Sequence, residues 1–360
     1  MPAMPESTDA YAALRPIGWS DDADRIRVAA GRPVARVTGQ HRSGFEVVDD
    51  AGALAAKRVQ APAPWTRKID PELRAIVGDW VVLDEQHKQI LELLPRHALL
   101  KRGAAGEHHK LQLIAANVDH VVVVVGLDDD FNPRRIERYL VVVQASGATP
   151  VLVLTKADKY DKLPEALEAL KTVNMEGTPV HAVNAKSAES LQPLHQYLGP
   201  GKSVVLVGSS GAGKSTLTNT LLGTERMKTN AVRETDSRGR HTTTHRVLLP
   251  LPQGGCLIDT PGMRELKLSG DEDLAEGGFE DIEALAGSCR FSDCGHSNEP
   301  GCAVNAAIEE GVLTEERYAR YCKLRDERDA AATTLAQRRA ENRAANEAFA
   351  KRVKDKYRRR

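Results

Sequence analysis

The stretch from Lys202 to Gly223, KSVVLVGSSGAGKSTLTNTLLG, decides the fold. KSVVLVG is a short apolar run rich in valine and reads as a buried strand, and TLTNTLLG reads as the start of a helix. Between them, GSSGAGKS from Gly208 to Ser215 carries the G-x4-G-K-S spacing of a phosphate loop. Gly208 and Gly213 let the backbone curl around an anion. The N–H groups of Ser209, Ser210, Gly211, Ala212 and on to Thr216 then face phosphate together with the helix N-terminus. Lys214 is placed to reach the β- and γ-phosphates and Ser215 to bind Mg²⁺. Strand, glycine turn and helix in this order predict an α/β P-loop domain.

The surroundings fit that reading. HVVVVVG, PVLVLTK and PVHAVNA are further buried-strand runs, separated by segments such as PRRIERYLVVVQASG that can form helices. Continuous apolar strands alternating with helices predict a doubly wound sheet over residues 106–270. Downstream, GCLIDTPG puts Asp259 at the end of an apolar run, where an aspartate contacts Mg²⁺, and Gly262 where a backbone N–H senses the γ-phosphate. Between lies GRHTTTHR, Gly239–Arg246, a polar loop in which one hydroxyl of Thr242, Thr243 or Thr244 completes the Mg²⁺ shell, Thr243 being the candidate taken.

A P-loop alone does not separate ATP from GTP. A carboxylate facing the guanine N1 and N2 donors does. TKAD, made of Thr155, Lys156, Ala157 and Asp158, follows the strand PVLVL; Asp158 can accept both hydrogen bonds while Lys156 packs along the base. HAVNAKS, His181–Ser187, ends another strand and supports the base through the Ala185 and Lys186 backbone. No [NT]KxD follows Gly262, so the order is base, base, phosphate, switch, metal. Ordinary GTPases begin at the phosphate loop, and this order is therefore that of a circularly permuted GTPase. Permutation keeps the contacts when the old termini lie close together, as domain termini often do.

On the N-terminal side, VARV, FEVV, DWVVLD and ILELL are short β-rich runs between Val34 and Leu100, expected to form a small antiparallel barrel of OB type over residues 31–105. Residues 1–30 read as an extension with Ile17, Gly18 and Trp19 as a packing anchor. On the C-terminal side, Cys289, Cys294, His296 and Cys302 spell C-x4-C-x-H-x5-C, the Cys3His set of a closed structural zinc site, in a mainly helical segment over 271–335. Cys256 and Cys322 read as packing cysteines. A helix-prone tail over 336–360 ends KRVKDKYRRR.

Composition bounds the rest. The 360 residues are 41% hydrophobic and 28% charged, enough for several cores, and with 4% aromatics those cores must be aliphatic. Lys plus Arg equals Asp plus Glu at 50 each, so any basic surface is local. No run approaches the roughly 20 apolar residues of a membrane span, and MPAMPESTDA lacks a signal-peptide core. A cytoplasmic protein without membrane contact is expected.

AANVDHVVVV, DFNPRRIERYL, TKAD, GSSGAGKST, GRHTTTHR, DTPGMRE and the cysteine–histidine spacing occur in one order in this chain. In this it resembles the ribosome small-subunit-dependent GTPase A family (RsgA, YjeQ, YloQ) over nearly all of residues 15–330. The resemblance implies an OB domain, a permuted GTPase domain and a zinc-containing C-terminal domain, with GTP hydrolysed to GDP on the 30S subunit and its 16S rRNA during late maturation; a monomer is expected. One departure is Thr155, where the family usually has asparagine: threonine keeps a hydroxyl but shortens the reach toward base and P-loop. Met263 stands where a Ras-like protein has its water-orienting glutamine, so the missing group is expected from the GRHTTTHR loop, with His241 the first candidate and His245 the second. Arg36, Arg42, Arg58, Arg67 and Lys68 are the barrel candidates for rRNA contact, each read first as a solvated surface charge. Two rival readings are an ATP-dependent P-loop enzyme and an RNA-binding assembly module whose nucleotide pocket is regulatory.

Overall fold

The computed structural model describes residues 11–41, 44–49, 55–66, 70–103, 111–128, 131–159, 161, 163–171, 173, 177–224, 246–260, 266–297 and 299–358. Five strands build the N-terminal barrel: β1 (Val34–His41), β2 (Gly44–Asp49), β3 (Ala56–Val59), β4 (Trp80–Leu83) and β5 (Ile90–Leu93). They pair antiparallel in the order β3-β2-β1-β4-β5, and a parallel bridge between Gln60 and Gln89 joins the two ends of that row. This closed five-stranded arrangement is the OB-type barrel expected from the sequence.

Period-two alternation explains why WVVL can be apolar throughout. Val81 and Leu83 point into the barrel with Ala35, Val37, Val47 and Ile90. Trp80 and Val82 point outward, where Leu14, Ile17, Trp19 and Ala29 cover them. The N-terminal extension, a 3-10 turn (Ala12–Ile17) followed by α1 (Ala23–Ala29), is thus the lid of the barrel's outer face. Trp19 meets Trp80 edge-on with ring centroids 4.8 Å apart.

A hairpin of β6 (Leu99–Gly103) and β7 (Leu111–Ala116) leads to a six-stranded sheet. That sheet is built from β8 (His120–Gly126), β9 (Thr149–Thr155), β10 (Val180–Ala182), β11 (Ser203–Val207), β12 (Val247–Pro250) and β13 (Cys256–Asp259), in the order β10-β9-β8-β11-β13-β12. All pairings are parallel except that of the edge strand β12. Val121, Val123 and Val125 of β8 pack into one core with α2 (Pro133–Gln144), while Val122 and Val124 pack into the other beneath α4 (Lys214–Leu222). Both faces are covered, which is the physical reason for the unbroken valine run. A short α3 (Leu163–Leu170) joins β9 to β10.

The C-terminal part is helical: α5 (Glu280–Gly287), α6 (Ala303–Glu309) and α7 (Glu315–Arg358), the last running unbroken through residues 335 and 336. Helix α7 docks on α2 by Arg138 to Glu327 at 2.9 Å and by Arg317 and Arg320 flanking the buried Glu137. Gly270, at φ +104°, lies so close to α7 that a Cβ there would stand 2.3 Å from the Ala332 nitrogen. Further along, Arg339 returns to the barrel at Asp70, 3.2 Å away.

Arg36 corrects one sequence reading. It is fully buried and belongs neither to an RNA surface nor to solvent. Its guanidinium donates to the carbonyl oxygens of Ile17, Gly78 and Asn117 and lies 3.1 Å from Cys256 Sγ and 5.0 Å from the Trp80 ring. One side chain therefore joins the extension, the barrel, the linker and the parallel sheet. Arg58 is exposed; Arg42, Arg67 and Lys68 lie outside the described residues.

Beside it, Asn117 adopts a left-handed φ of 53°. Its Oδ1 accepts from Arg25 at 3.0 Å and its Nδ2 donates to Gly78 O at 3.2 Å. Burial lowers the Arg25 pKa to about 10. Replacing Arg36 by methionine leaves three buried carbonyls without this donor and is expected to destabilise the protein by about 3 kcal/mol in chemical denaturation. Wild-type stability in Arg36→Met would overturn the junction role.

Candidate functional site

The carboxyl ends of β8, β9, β10, β11 and β13 lie side by side. The segments singled out above follow β9, β10, β11 and β13, while β8 ends in Gly126, followed by Leu127; this edge is where an open α/β sheet presents a ligand crevice. After β11, the loop from Gly208 to Gly213 turns by positive φ at Gly208 (144°), Gly211 (83°) and Gly213 (94°). Gly208 is required by close approach: a Cβ there would stand 2.1 Å from Val124 O on β8. Gly213 is the N-cap of α4, so the free N–H groups of the first helical turn point into the loop, a setting that can hold a phosphate. Lys214 Nζ donates to Gly208 O at 2.7 Å and Ser209 O at 2.6 Å, curling over the loop it belongs to.

TKAD sits at the end of β9. Thr155 is fully buried, and its hydroxyl donates to Ala212 O of the phosphate loop at 2.6 Å, with Val125 O 3.3 Å away. The shortened reach noted in the sequence still spans the gap to the P-loop. The next residue, Lys156, has a left-handed φ of 64°, and Asp158 is exposed on the 3-10 turn Ala157–Lys159. Beyond β10, Thr220 of α4 donates its hydroxyl to Ala185 O at 2.7 Å. The loop is braced by Asn184, whose Oδ1 accepts from Lys186 N at 3.0 Å. Both candidate base loops are thus tied to the phosphate element through one threonine hydroxyl each. Thr220 was not singled out by sequence reasoning, because a threonine inside a helix carries no signal for a partner 35 residues away.

Asp259 ends β13, the parallel neighbour of the P-loop strand. Burial holds its carboxyl above the usual carboxylate range, against the opposing effects of the Thr260 N–H and Lys214. A half-buried carboxylate beside a phosphate loop is a group that a divalent cation would neutralise. His241, His245, Thr242, Thr243, Thr244, Gly262 and Met263 lie outside the described residues.

The second site is the cysteine cluster between α5 and α6. Cys289, Cys294, His296 and Cys302 each bring one ligand atom to within 4.8 Å of the others. His296 Nδ1 lies 3.5 Å from both Cys289 Sγ and Cys302 Sγ, and those sulfurs are 4.0 Å apart. Ligands about 2.3 Å from a tetrahedral ion stand roughly 3.8 Å apart, so the set fits a four-coordinate metal with no position left for substrate. The chain path needs His296 at φ 58° and Gly301 at φ 80°; a Cβ on Gly301 would meet Arg290 Cβ at 3.0 Å.

Parallel sheet, phosphate loop and base-loop positions preceding it in the chain define a P-loop GTPase of circularly permuted order. The RsgA GTPase family profile matches residues 93–269. An RsgA small ribosomal subunit biogenesis GTPase from Xanthomonas axonopodis pv. citri is 56% identical over 348 residues, 94% of this chain and 95% of its own length. One from Xanthomonas campestris pv. campestris is 55% identical over the same shares. Among solved structures, YjeQ from Thermotoga maritima superposes with a TM-score of 0.59 at 27% identity, covering 82% of this chain and 98% of that one. YloQ, described as a circularly permuted GTPase, shares the fold with a TM-score of 0.54 at 23% identity over 83% and 95%. An ABC transporter profile also matches residues 191–348, a span that contains the phosphate loop. The chain belongs to the RsgA GTPase family.

Thr155→Val keeps the shape and removes the bond to Ala212 O. It is expected to lower the stability of the nucleotide-free protein by about 1 kcal/mol, read by urea denaturation. No change would mean that the hydroxyl contributes nothing to joining the loops.

Proposed function

We propose that this GTP hydrolase is a switch in late assembly of the small ribosomal subunit, binding the 30S particle through 16S rRNA as a cytoplasmic monomer. The observation that carries the nucleotide part is Thr155, whose hydroxyl joins the base-loop candidate to the phosphate loop in a buried contact. The ribosomal part rests on relatives of 55–56% identity that carry that name along nearly their whole length.

In this reading the N–H groups of Ser209, Ser210, Gly211, Ala212, Gly213, Lys214, Ser215 and Thr216 cradle the phosphates. Lys214 leaves the Gly208 and Ser209 carbonyls for the β- and γ-oxygens. Ser215, Thr243 and Asp259 serve Mg²⁺, which neutralises charge on the phosphates. Asp158 accepts from guanine N1 and N2, and Lys156 lines the base. His241 orients the attacking water in place of the glutamine that Met263 does not supply. Attack on the γ-phosphorus breaks its bond to the β,γ-bridging oxygen, releasing GDP and phosphate. The barrel (31–105) meets rRNA, the GTPase domain (106–270) times attachment, the zinc region (271–335) holds the helical part together, and the basic tail (336–360) adds phosphate contacts.

GTP turnover measured with and without 30S subunits tests this directly. Stimulation by the subunit is expected, with His241→Ala lowering the stimulated rate about 100-fold while GDP affinity stays near wild type. Full stimulated turnover in His241→Ala would remove that residue from the mechanism. No turnover even with 30S present would leave the regulatory-module reading.

Zinc is the metal proposed for Cys289, Cys294, His296 and Cys302. Metal analysis should find one zinc per chain. Chelation or Cys294→Ser should lower the melting temperature, because metal binding at such a site is part of the folding free energy. A zinc-free chain insensitive to chelators would refute the assignment.

A further inference from the structure

Lys156 is the described member of TKAD whose backbone is strained. Its φ of 64° lies in the left-handed region that a side chain other than glycine or asparagine seldom occupies, and such residues persist where their surroundings hold them. What meets its side chain is Asp128, two residues beyond the end of β8: the ammonium forms an ion pair with Asp128 Oδ2. The partners come from neighbouring strands. β8 and β9 pair up to Gly126 opposite Thr155, and Leu127 N donates to Thr155 O at 2.9 Å. Asp128 and Lys156 therefore face each other across the end of one strand pair.

The room between them exists because residue 126 is glycine. A Cβ there would stand 3.0 Å from Asp128 Oδ1 and 3.2 Å from Lys156 Nζ. Both side chains are about one-third exposed, on the same carboxyl edge as the phosphate loop. An ammonium fixed at its tip leaves the four methylenes of the lysine as a preformed apolar wall. A free lysine would have to surrender its rotamer freedom each time a planar ligand lay against it.

We infer that Asp128 is a positioning residue for the guanine nucleotide: it pins Lys156 so that the lysine stem stands ready as one wall of the base slot. This rests on the reading of TKAD as the guanine loop. Asp128 touches no part of the nucleotide in this role. It acts on base binding through Lys156, so GDP and GTP are affected alike and the choice of guanine over adenine stays with Asp158.

The test is titration of the full-length chain with fluorescently labelled GDP and GTP, Mg²⁺ present, for Asp128→Asn, Lys156→Ala and the double variant. Asp128→Asn should weaken both nucleotides by about threefold to tenfold, the range of one partly exposed ion pair plus the ordering of one long side chain. It should cause no further loss in the Lys156→Ala background, and Asp128→Glu should restore most of the affinity. Gly126→Ala, which crowds the pair without removing a charge, should weaken binding in the same direction. Wild-type affinity in Asp128→Asn, or an equal loss with and without Lys156, would overturn the inference. Asp158→Asn separates the two levels of the reading. Its amide should favour xanthosine diphosphate, whose C2 carbonyl can accept a hydrogen bond. If Asp158→Asn keeps its guanine preference, the guanine-loop reading itself falls. A xanthine switch alongside an unaffected Asp128→Asn defeats only the role of Asp128.

Discussion

A guanidinium buried without an acidic partner at hydrogen-bonding distance among its described contacts holds this molecule together. Carbonyl oxygens from the extension, the barrel and the linker converge on Arg36, with Cys256 of the parallel sheet beside it. Removing any one of these elements leaves either the cation or a carbonyl short of a partner in a buried junction. The barrel and the GTPase sheet are consequently not two bodies on a loose linker. Edge strand β12 also comes up against β1.

The same logic of satisfied polar groups operates at the site. A permuted chain delivers the candidate base loops before the phosphate loop, and nothing in the connectivity forces them together. Hydroxyl bonds do: Thr155 to Ala212 O and Thr220 to Ala185 O span 57 and 35 residues of chain. These bonds are short and include one fully buried donor. The candidate base loops and the phosphate element are therefore fixed to one another by bonds within the protein itself.

Helix α7 links the remaining parts. It packs on α2 through Glu137 and Arg138, lies against the backbone at Gly270, and reaches the barrel at Asp70 through Arg339. Lys101 of the hairpin makes a parallel connection, pairing with Glu72 of the barrel and with Asp271. The segment that follows the DTPG motif is thereby in contact with hairpin, helix and, through them, barrel.

What the amino-acid sequence determined by itself was local and ordered: the P-loop, TKAD, DTPG and cysteine–histidine spacings, and the sequence in which they occur. Such motifs are legible because the chemistry needs particular residues at fixed short separations. The valine runs likewise announce strands buried on both faces. The tertiary structure decided what depends on distant partners. Arg36 looked like any surface arginine until Ile17, Gly78, Asn117 and Cys256 surrounded it. Thr155 looked short until the sheet brought Ala212 within 2.6 Å. Asp128, one of three consecutive aspartates, acquired a role only when β8 and β9 paired and set it beside Lys156. A side chain's charge and length are written in the chain, but whether it meets solvent or a carbonyl is set by which strands lie next to each other, and that is a property of the folded whole.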